Sequence, residues 1–444
     1  MKLLKIFGLV FLLTVVGALL TFSEGQKIVF YSTQLRPIEE AEWVRGTLLP
    51  PFTEETGIEV EFIPDEYSPW ADRLIAEYKA WKADPAKCGV DLAGGLHGDF
   101  MGVLETPEKE LRFVDLSAKL AELSADRTFI ESFVELGKMA GIQAYIPWMQ
   151  ATYLTVINKK AMDYLPYDVN IESLSYDDLL KWAKSIYDAT GEKKLGIPAG
   201  PKSLLHRFVH GYLYPSFTCS TVKKFMKKPE VLYLWGYAKT LWQYVHPEAP
   251  KWDAMAEPLL EEAVWIAWDH TARVWKAIEA RPEDFIAVPS PADCCGRGFI
   301  SVLAGLGIPK AACDPDSANK LIEYLTKPEV QVVTLEGVAF FPIVEEAAGK
   351  VPAGPAKVLA EGVTKQAAAP DAIVAMIPGG LGARAGEFSK IYRDTFTEIV
   401  IKGRNIEEVL EEQGKLLAEL YRDTGAPCPL PDDPTEAPCI PEGF

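Results

Sequence analysis

The apolar and polar positions near the start of the chain read as alternating strands and helices. Residues 27–34 (KIVFYSTQ) are a short apolar run that ends in polar Ser32, Thr33 and Gln34, the pattern of a buried strand and its exit. Pro37 then opens a helix with Glu39, Glu40 and Glu42 in its first turns, where the helix dipole favours acids, and Gly57 ends it. Ile58, Val60 and Phe62 alternate with Glu59 and Glu61, which predicts a strand with one wet face. After a second helix over residues 70–81, residues 90–96 predict another buried strand, running out into His97, Gly98 and Asp99. In an open parallel sheet, solutes bind beyond the carboxyl ends of the strands. Thr33, Gln34, His97 and Asp99 therefore belong on one rim.

Further along, residues 145–158 form a long extended run with Pro147 near its start, as expected where a chain crosses between lobes. Ser175 and Asp178 suit a capping box for a helix over 176–190 that Gly191 ends. Residues 195–201 predict a strand and turn. Residues 229–280 are predicted helical and mostly core, with Trp235, Tyr237, Trp242, Tyr244, Trp265, Trp268 and Trp275 among them. Extended structure resumes at 287–291 and 298–305, a helix follows at 316–325, and 337–342 looks like a second crossing. The Ala-, Gly- and Pro-rich stretch 347–370 reads as a loop or loose helix. Helices over 387–402 and 405–423 and a Pro-rich tail close the chain.

Composition adds what the pattern cannot. With 444 residues, 45 Lys+Arg, 63 Asp+Glu and a hydrophobic fraction of 48%, the chain is long and apolar enough for two or three lobes. The formal charge of −18, with no dense basic run, argues against a nucleic-acid partner. Residues 1–23 differ from the rest: Lys2 and Lys5 precede an apolar stretch over 6–20, followed by Thr21, Phe22 and Ser23, the make-up of a secretory signal peptide. An exported protein can keep disulfides. Of the seven cysteines, Cys428 and Cys439 close a short Pro-rich loop and are the easiest pair to propose; the pairing of Cys88, Cys219, Cys294, Cys295 and Cys313 stays open, and an odd number leaves at least one unpaired.

Catalytic signatures mostly fail. There is no Gly-x-Ser-x-Gly elbow, Walker loop or HExxH motif. His206 and His210 share a helical face, but Arg207 stands where a zinc protease carries its glutamate, so no metal and no cofactor are expected. Gly380, Gly382 and Gly386 lie outside any βαβ unit and do not make a dinucleotide loop. What remains are aromatic rings beside short polar groups: Glu66 and Tyr67 with Trp70, His97 with Asp99, Trp148 with Gln150, Trp268 and Asp269 with His270 and Arg273, and Gly382 with Arg384. Rings take the C–H faces of a polyhydroxylated solute, and carboxylates, amides and guanidinium groups bridge its hydroxyls.

Seven segments in fixed order carry a family resemblance: 52–60 (FTEETGIEV), 91–99 (DLAGGLHGD), 146–160, 176–180 (YDDLL), 303–310 (LAGLGIPK), 325–331 (LTKPEVQ) and 340–342 (FFP). In these the chain resembles the family 1 extracellular solute-binding proteins, the group related to maltose-binding protein. The resemblance implies an α/β, two-lobed periplasmic-binding-protein fold of type II character. Each lobe would be discontinuous: 24–149 with 296–341, and 150–295 with 342–425, followed by a tail at 426–444. It implies a non-enzymatic, exported, monomeric receptor that closes on a carbohydrate and delivers it to the permease subunits of an ABC transporter. By position, Thr33, Gln34, Glu66, Tyr67 and Asp99 fall on first-lobe solute contacts, Trp268 near the second-lobe stacking ring, and Arg384 on a contact loop. Gln150 and Ala151 fall where maltose-binding relatives carry a ligand carboxylate, so maltose itself does not carry over. Two other readings stay open: a binder of a phosphorylated polyol or other anionic solute, based on Arg273, Arg384, Lys202 and His206, and a secreted carbohydrate-active enzyme.

Overall fold

The structure is a computed structural model that describes residues 26–444 apart from Lys227; the expected signal peptide lies outside the described residues. Apart from a short antiparallel pair, Lys138–Met139 with Ile142–Gln143, the strands in chain order are β1 (Lys27–Ser32), β2 (Glu59–Pro64), β3 (Leu92–Leu96), β4 (Ile146–Ala151), β5 (Tyr153–Asn158), β6 (Leu195–Gly196), β7 (Ile266–His270), β8 (Phe285–Val288), β9 (Arg297–Ile300), β10 (Val302–Gly307) and β11 (Ala372–Ala375). They form two main sheets, five strands in the order β2-β1-β3-β10-β4 and four in the order β8-β5-β7-β6, with β9 and β11 as a separate parallel pair. This is the two-lobed α/β architecture.

The first sheet starts as the β-α-β unit read from the pattern: β1 lies parallel between β2 and β3, and Gly57 ends the intervening helix Pro50–Thr56 at a φ of +72°, which glycine adopts without strain. The long extended run is two strands rather than one. β4 pairs antiparallel with β10 in the first sheet, and after Thr152 the chain enters β5, paired with β7 and β8 in the second. Ser175 and Asp178 form the capping box: the Ser175 hydroxyl accepts the Asp178 N–H at 3.1 Å and the Asp178 carboxylate accepts the Ser175 N–H at 3.2 Å.

Three expectations need correction. Residues 266–270, placed in a helical region, are a strand of the second sheet, because β7 is sandwiched between β5 and β6 and its apolar residues are buried on both faces. The stretch 347–370 contains a well-formed helix, Pro355–Ala367, which buries Leu359 and Val363 and packs against β8. Residues 297–300 do not join the first sheet. β9 pairs with β11, its Phe299 and Ile300 sit in the second core, and the chain re-enters the first sheet only at Val302.

The tail folds back onto the body. Cys428 and Cys439 are bonded and buried, and Asp432 accepts the Ser220 hydroxyl at 2.5 Å and the backbone N–H groups of Thr221 and Val222 at 2.9 and 2.6 Å. Two further disulfides, Cys88–Cys313 and Cys219–Cys295, tie segments far apart in sequence, and Cys294 is the free cysteine. Among the described residues no helix is long and apolar enough to cross a membrane.

Candidate functional site

Beyond the carboxyl ends of β1 and β3, a cavity of about 460 Å³ is walled on one side by Tyr67, Leu96, His97 and Asp99 and on the other by residues 376–382. Ser301, Val302 and Leu303, where the chain crosses between the sheets, also line it. Its size suits a small solute, since such sites commonly span roughly 300–1,000 Å³.

Asp99 is the best-placed polar group. It sits in the first turn of the helix His97–Val103, and its Oδ2 accepts both the Thr33 hydroxyl at 2.6 Å and the Leu96 N–H at 2.8 Å. Among the described residues no hydrogen bond reaches its Oδ1. Burial raises its pKa above the ordinary carboxylate value, with the Thr33 and Leu96 hydrogen bonds opposing. Gln34 supports Thr33 from behind, its Nε2 donating to the Thr33 hydroxyl at 3.0 Å. Tyr67 places its ring against the cavity, and burial, followed by the charge of Asp99, raises its pKa. His97 is buried, and its Nδ1 lies 2.9 Å from the Tyr145 hydroxyl. Burial pushes its pKa down to about 4, so the ring is neutral at physiological pH.

The opposite wall is built from backbone. Gly98 and Gly379 approach closely enough that a Cβ on Gly98 would lie 3.7 Å from the Gly379 Cα. This wall rests on the tail: the Met376 N–H donates to the Leu430 carbonyl at 3.1 Å, and Gly380 faces Pro427 and Ala426. The Pro-rich, disulfide-closed tail therefore props one lip of the cavity. At the crossing, the Ser301 hydroxyl is buried and has no hydrogen-bond partner among the described residues.

Several residues expected at the site are elsewhere. Trp148 is 1% exposed, its ring 5.5 Å from Phe30 in the first core, and cannot stack on a solute. Gln150 is buried at the crossing, its backbone bonded to Phe341 and its Nε2 to the Pro342 carbonyl. Trp268 is 4% exposed: Tyr153 stacks on it at 5.0 Å, and Phe208 and Tyr212 pack around it. Asp269 gives its carboxylate to the N–H groups of Met255 and His270 at 3.0 and 2.8 Å, and burial pushes its pKa up to about 7. Glu66 is exposed and paired with Arg36, and Arg384 pairs with Glu387 and Asp423, each at 2.8 Å. Arg273 is half-buried and donates to the carbonyls of Asp253 and Lys202 at 2.7 and 3.2 Å. Tyr67, His97 and Asp99 line the cavity, with Thr33 and Gln34 supporting Asp99.

Sequence reasoning missed Ser301 and, apart from Gly382, the 376–382 wall. The Pro378-Gly379-Gly380 turn was the available signal, and the weight placed on Arg384 drew attention to the wrong side of the right loop. Among the described residues no group of three or more His, Cys, Asp or Glu side chains is placed to hold a metal ion.

A family model described as bacterial extracellular solute-binding protein matches residues 36–332. No curated protein matches the chain. Several solved structures share its fold. The sugar-binding protein MalE of Xanthomonas citri is 16% identical, with a TM-score of 0.66, covering 90% of this chain and 98% of its own. MalE3 of T. maritima, solved with maltose, is 17% identical, with a TM-score of 0.59 and coverage of 89% and 99%. UgpB of Mycobacterium tuberculosis, solved with glycerophosphocholine, is 15% identical, with a TM-score of 0.57 and coverage of 89% and 99%.

Proposed function

The chain belongs to the bacterial extracellular solute-binding proteins, and from that premise we propose that it is an exported, non-enzymatic receptor that binds a carbohydrate between two lobes and presents it to the permease of an ABC importer. The observation that carries this reading is the Asp99 carboxylate: one oxygen is fixed by Thr33 and Leu96, and the other, with no hydrogen bond among the described residues, stands at a cavity lined by both halves of the chain. A fixed carboxylate with a spare oxygen suits a hydroxyl donor, and Tyr67 beside it offers an apolar ring and a phenol to the same solute.

The lobes in this reading join at Thr152, near Ser301 and beyond Pro342. A solute that touches both walls binds the closed arrangement more tightly than the open one, and that difference in affinity is what closes the protein. The solved structures with maltose and other sugars support a carbohydrate as the solute class.

Isothermal titration calorimetry against mono-, di- and oligosaccharides and polyols tests the proposal. Binding of one panel member at a single site, with the sugar recovered unchanged, is the expected result. Silence across the panel from folded protein would overturn it, and conversion of the bound sugar would replace it with an enzyme.

A further inference from the structure

At the crossing end of the second sheet, Arg207, Arg393 and Arg273 all lie close enough for their charges to act on His206, and among the described residues none of the three forms an ion pair with a carboxylate. Tyr153 opens β5 two residues after β4 leaves the first sheet, and antiparallel pairing sets it opposite His270 at the end of β7. This end lies beside the cavity rather than in its lining: the Thr152 hydroxyl donates to the Ile300 carbonyl at 2.7 Å, and the next residue, Ser301, lines the cavity. Arg207, half-buried on the short helix Leu205–Phe208, lies close enough for its charge to act on Tyr153, His206 and His270. The one hydrogen-bond partner of its side chain among the described residues is His210 Nε2, at 3.5 Å. Arg273 and Arg393 flank the group. Arg273 spends its bonds on carbonyls, and Arg393 donates to the Ser203 carbonyl at 2.7 Å and approaches His206 Nδ1 at 3.5 Å.

We infer that the solute carries an anionic substituent, a carboxylate or a phosphate on a carbohydrate framework, and that this substituent seats on Arg207. The inference rests on the receptor reading and narrows its solute class. In a chain with 63 acids against 45 bases, arginines are easily paired, as Arg384 is with Glu387 and Asp423 and Arg404 with Glu412. Among the described residues none of Arg207, Arg273 and Arg393 has a carboxylate within ion-pairing distance. Asp269, whose pKa burial raises while the charge of Arg273 opposes, gives its hydrogen bonds to two backbone N–H groups and makes no ion pair with the arginines, and Asp253 accepts the Lys202 N–H.

The histidines of the cluster add no charge. Burial first, then the arginines, pushes His206 down to about 3 and His270 to about 4, and holds His210 well below its ordinary value. A guanidinium fork matches two oxygens of a carboxylate or phosphate, and partial burial strengthens the pair relative to water. A neutral sugar would leave this charge uncompensated.

The test is calorimetry on the whole mature protein with matched pairs: glucuronate and galacturonate mono- and oligosaccharides and glucose 6-phosphate, each beside its neutral parent. The expected result is binding of an acidic member with the neutral parent at least about tenfold weaker. Arg207→Gln should weaken that binding by roughly ten- to a hundredfold, Arg207→Lys should restore part of it by keeping the charge without the fork, and Arg384→Gln should change nothing. The uronate and phosphate arms distinguish the two anions. Equal binding of a neutral parent, or an Arg207→Gln protein that is folded by circular dichroism and binds as the wild type does, would overturn the anion while leaving the receptor. Silence from both series would overturn both.

Discussion

Asp99→Asn isolates the contact on which the functional reading depends. The change keeps the shape of the side chain and exchanges one oxygen for an amide NH2. Both internal donors, the Thr33 hydroxyl and the Leu96 N–H, use Oδ2, so an asparagine with its carbonyl oxygen in that place satisfies them and turns its NH2 toward the solute. A sugar hydroxyl that donated to a carboxylate then meets another donor. Hydrogen bonds to charged groups contribute about 1.5–3 kcal/mol and neutral ones roughly 0.5–1.5, so a loss of about 2 kcal/mol, roughly thirtyfold in Kd, is expected. The fold should not suffer, because the variant also removes a buried charge whose desolvation raises the Asp99 pKa. Calorimetry with the tightest sugar of the panel, beside a thermal melt, reads both quantities. The pH profile gives a second check. A hydroxyl donor favours the ionised carboxylate, so wild-type affinity falls as pH drops through the raised Asp99 pKa, and the Asn variant loses that limb. A Kd within twofold of wild type, with the same pH profile, would show that Asp99 serves only to cap its helix.

Trp268→Ala should cost about 3–5 kcal/mol of stability in denaturant unfolding, since it empties the stack with Tyr153, Phe208 and Tyr212, and should leave solute affinity nearly unchanged in the folded fraction; full stability with weakened binding would return Trp268 to the cleft. His97 is neutral when folded and protonates near its ordinary value of 6.5 when unfolded, so its contribution is complete above pH 6.5 and is lost as pH falls toward about 4, amounting to about 3 kcal/mol. His97→Gln should therefore flatten the stability-against-pH curve over that window by close to one proton, and an unchanged slope would contradict the burial argument. In Gly102→Ala, the new Cβ would fall 1.9 Å from the Tyr67 hydroxyl and displace it, so affinity should drop by about 1 kcal/mol with little change in melting; unchanged affinity would remove Tyr67 from the solute's contacts.

The first lobe was largely legible in the sequence because its signals are local. Alternation at 58–62, the glycine stop at Gly57 and the polar exits at Thr33 and His97 each act within a few residues, and the expected rim residues His97 and Asp99 line the cavity. The second lobe was harder to read. A strand buried on both faces, such as β7, shows no alternation, and its tryptophan and neighbouring helices masked it. Trp148 and Trp268 show the same limit: a ring beside a polar residue has one spelling whether it faces a core or a cleft, and only the stacks with Phe30 and Tyr153 decide. Arg384 failed for a different reason, since Asp423, one of its two partners, lies 39 residues away. The Cys428–Cys439 bond was readable from proximity, whereas Cys88–Cys313 depends on a separation of 225 residues that only the fold closes.

A crystal structure of the protein with the sugar it binds tests the central claim most directly. The account predicts a carbohydrate ring between Tyr67 and the 376–382 wall, with a hydroxyl on Asp99 Oδ1. A solute seated instead in the apolar groove of about 550 Å³ on Phe341, Val351 and Val363, with the Asp99 cavity empty, would contradict it.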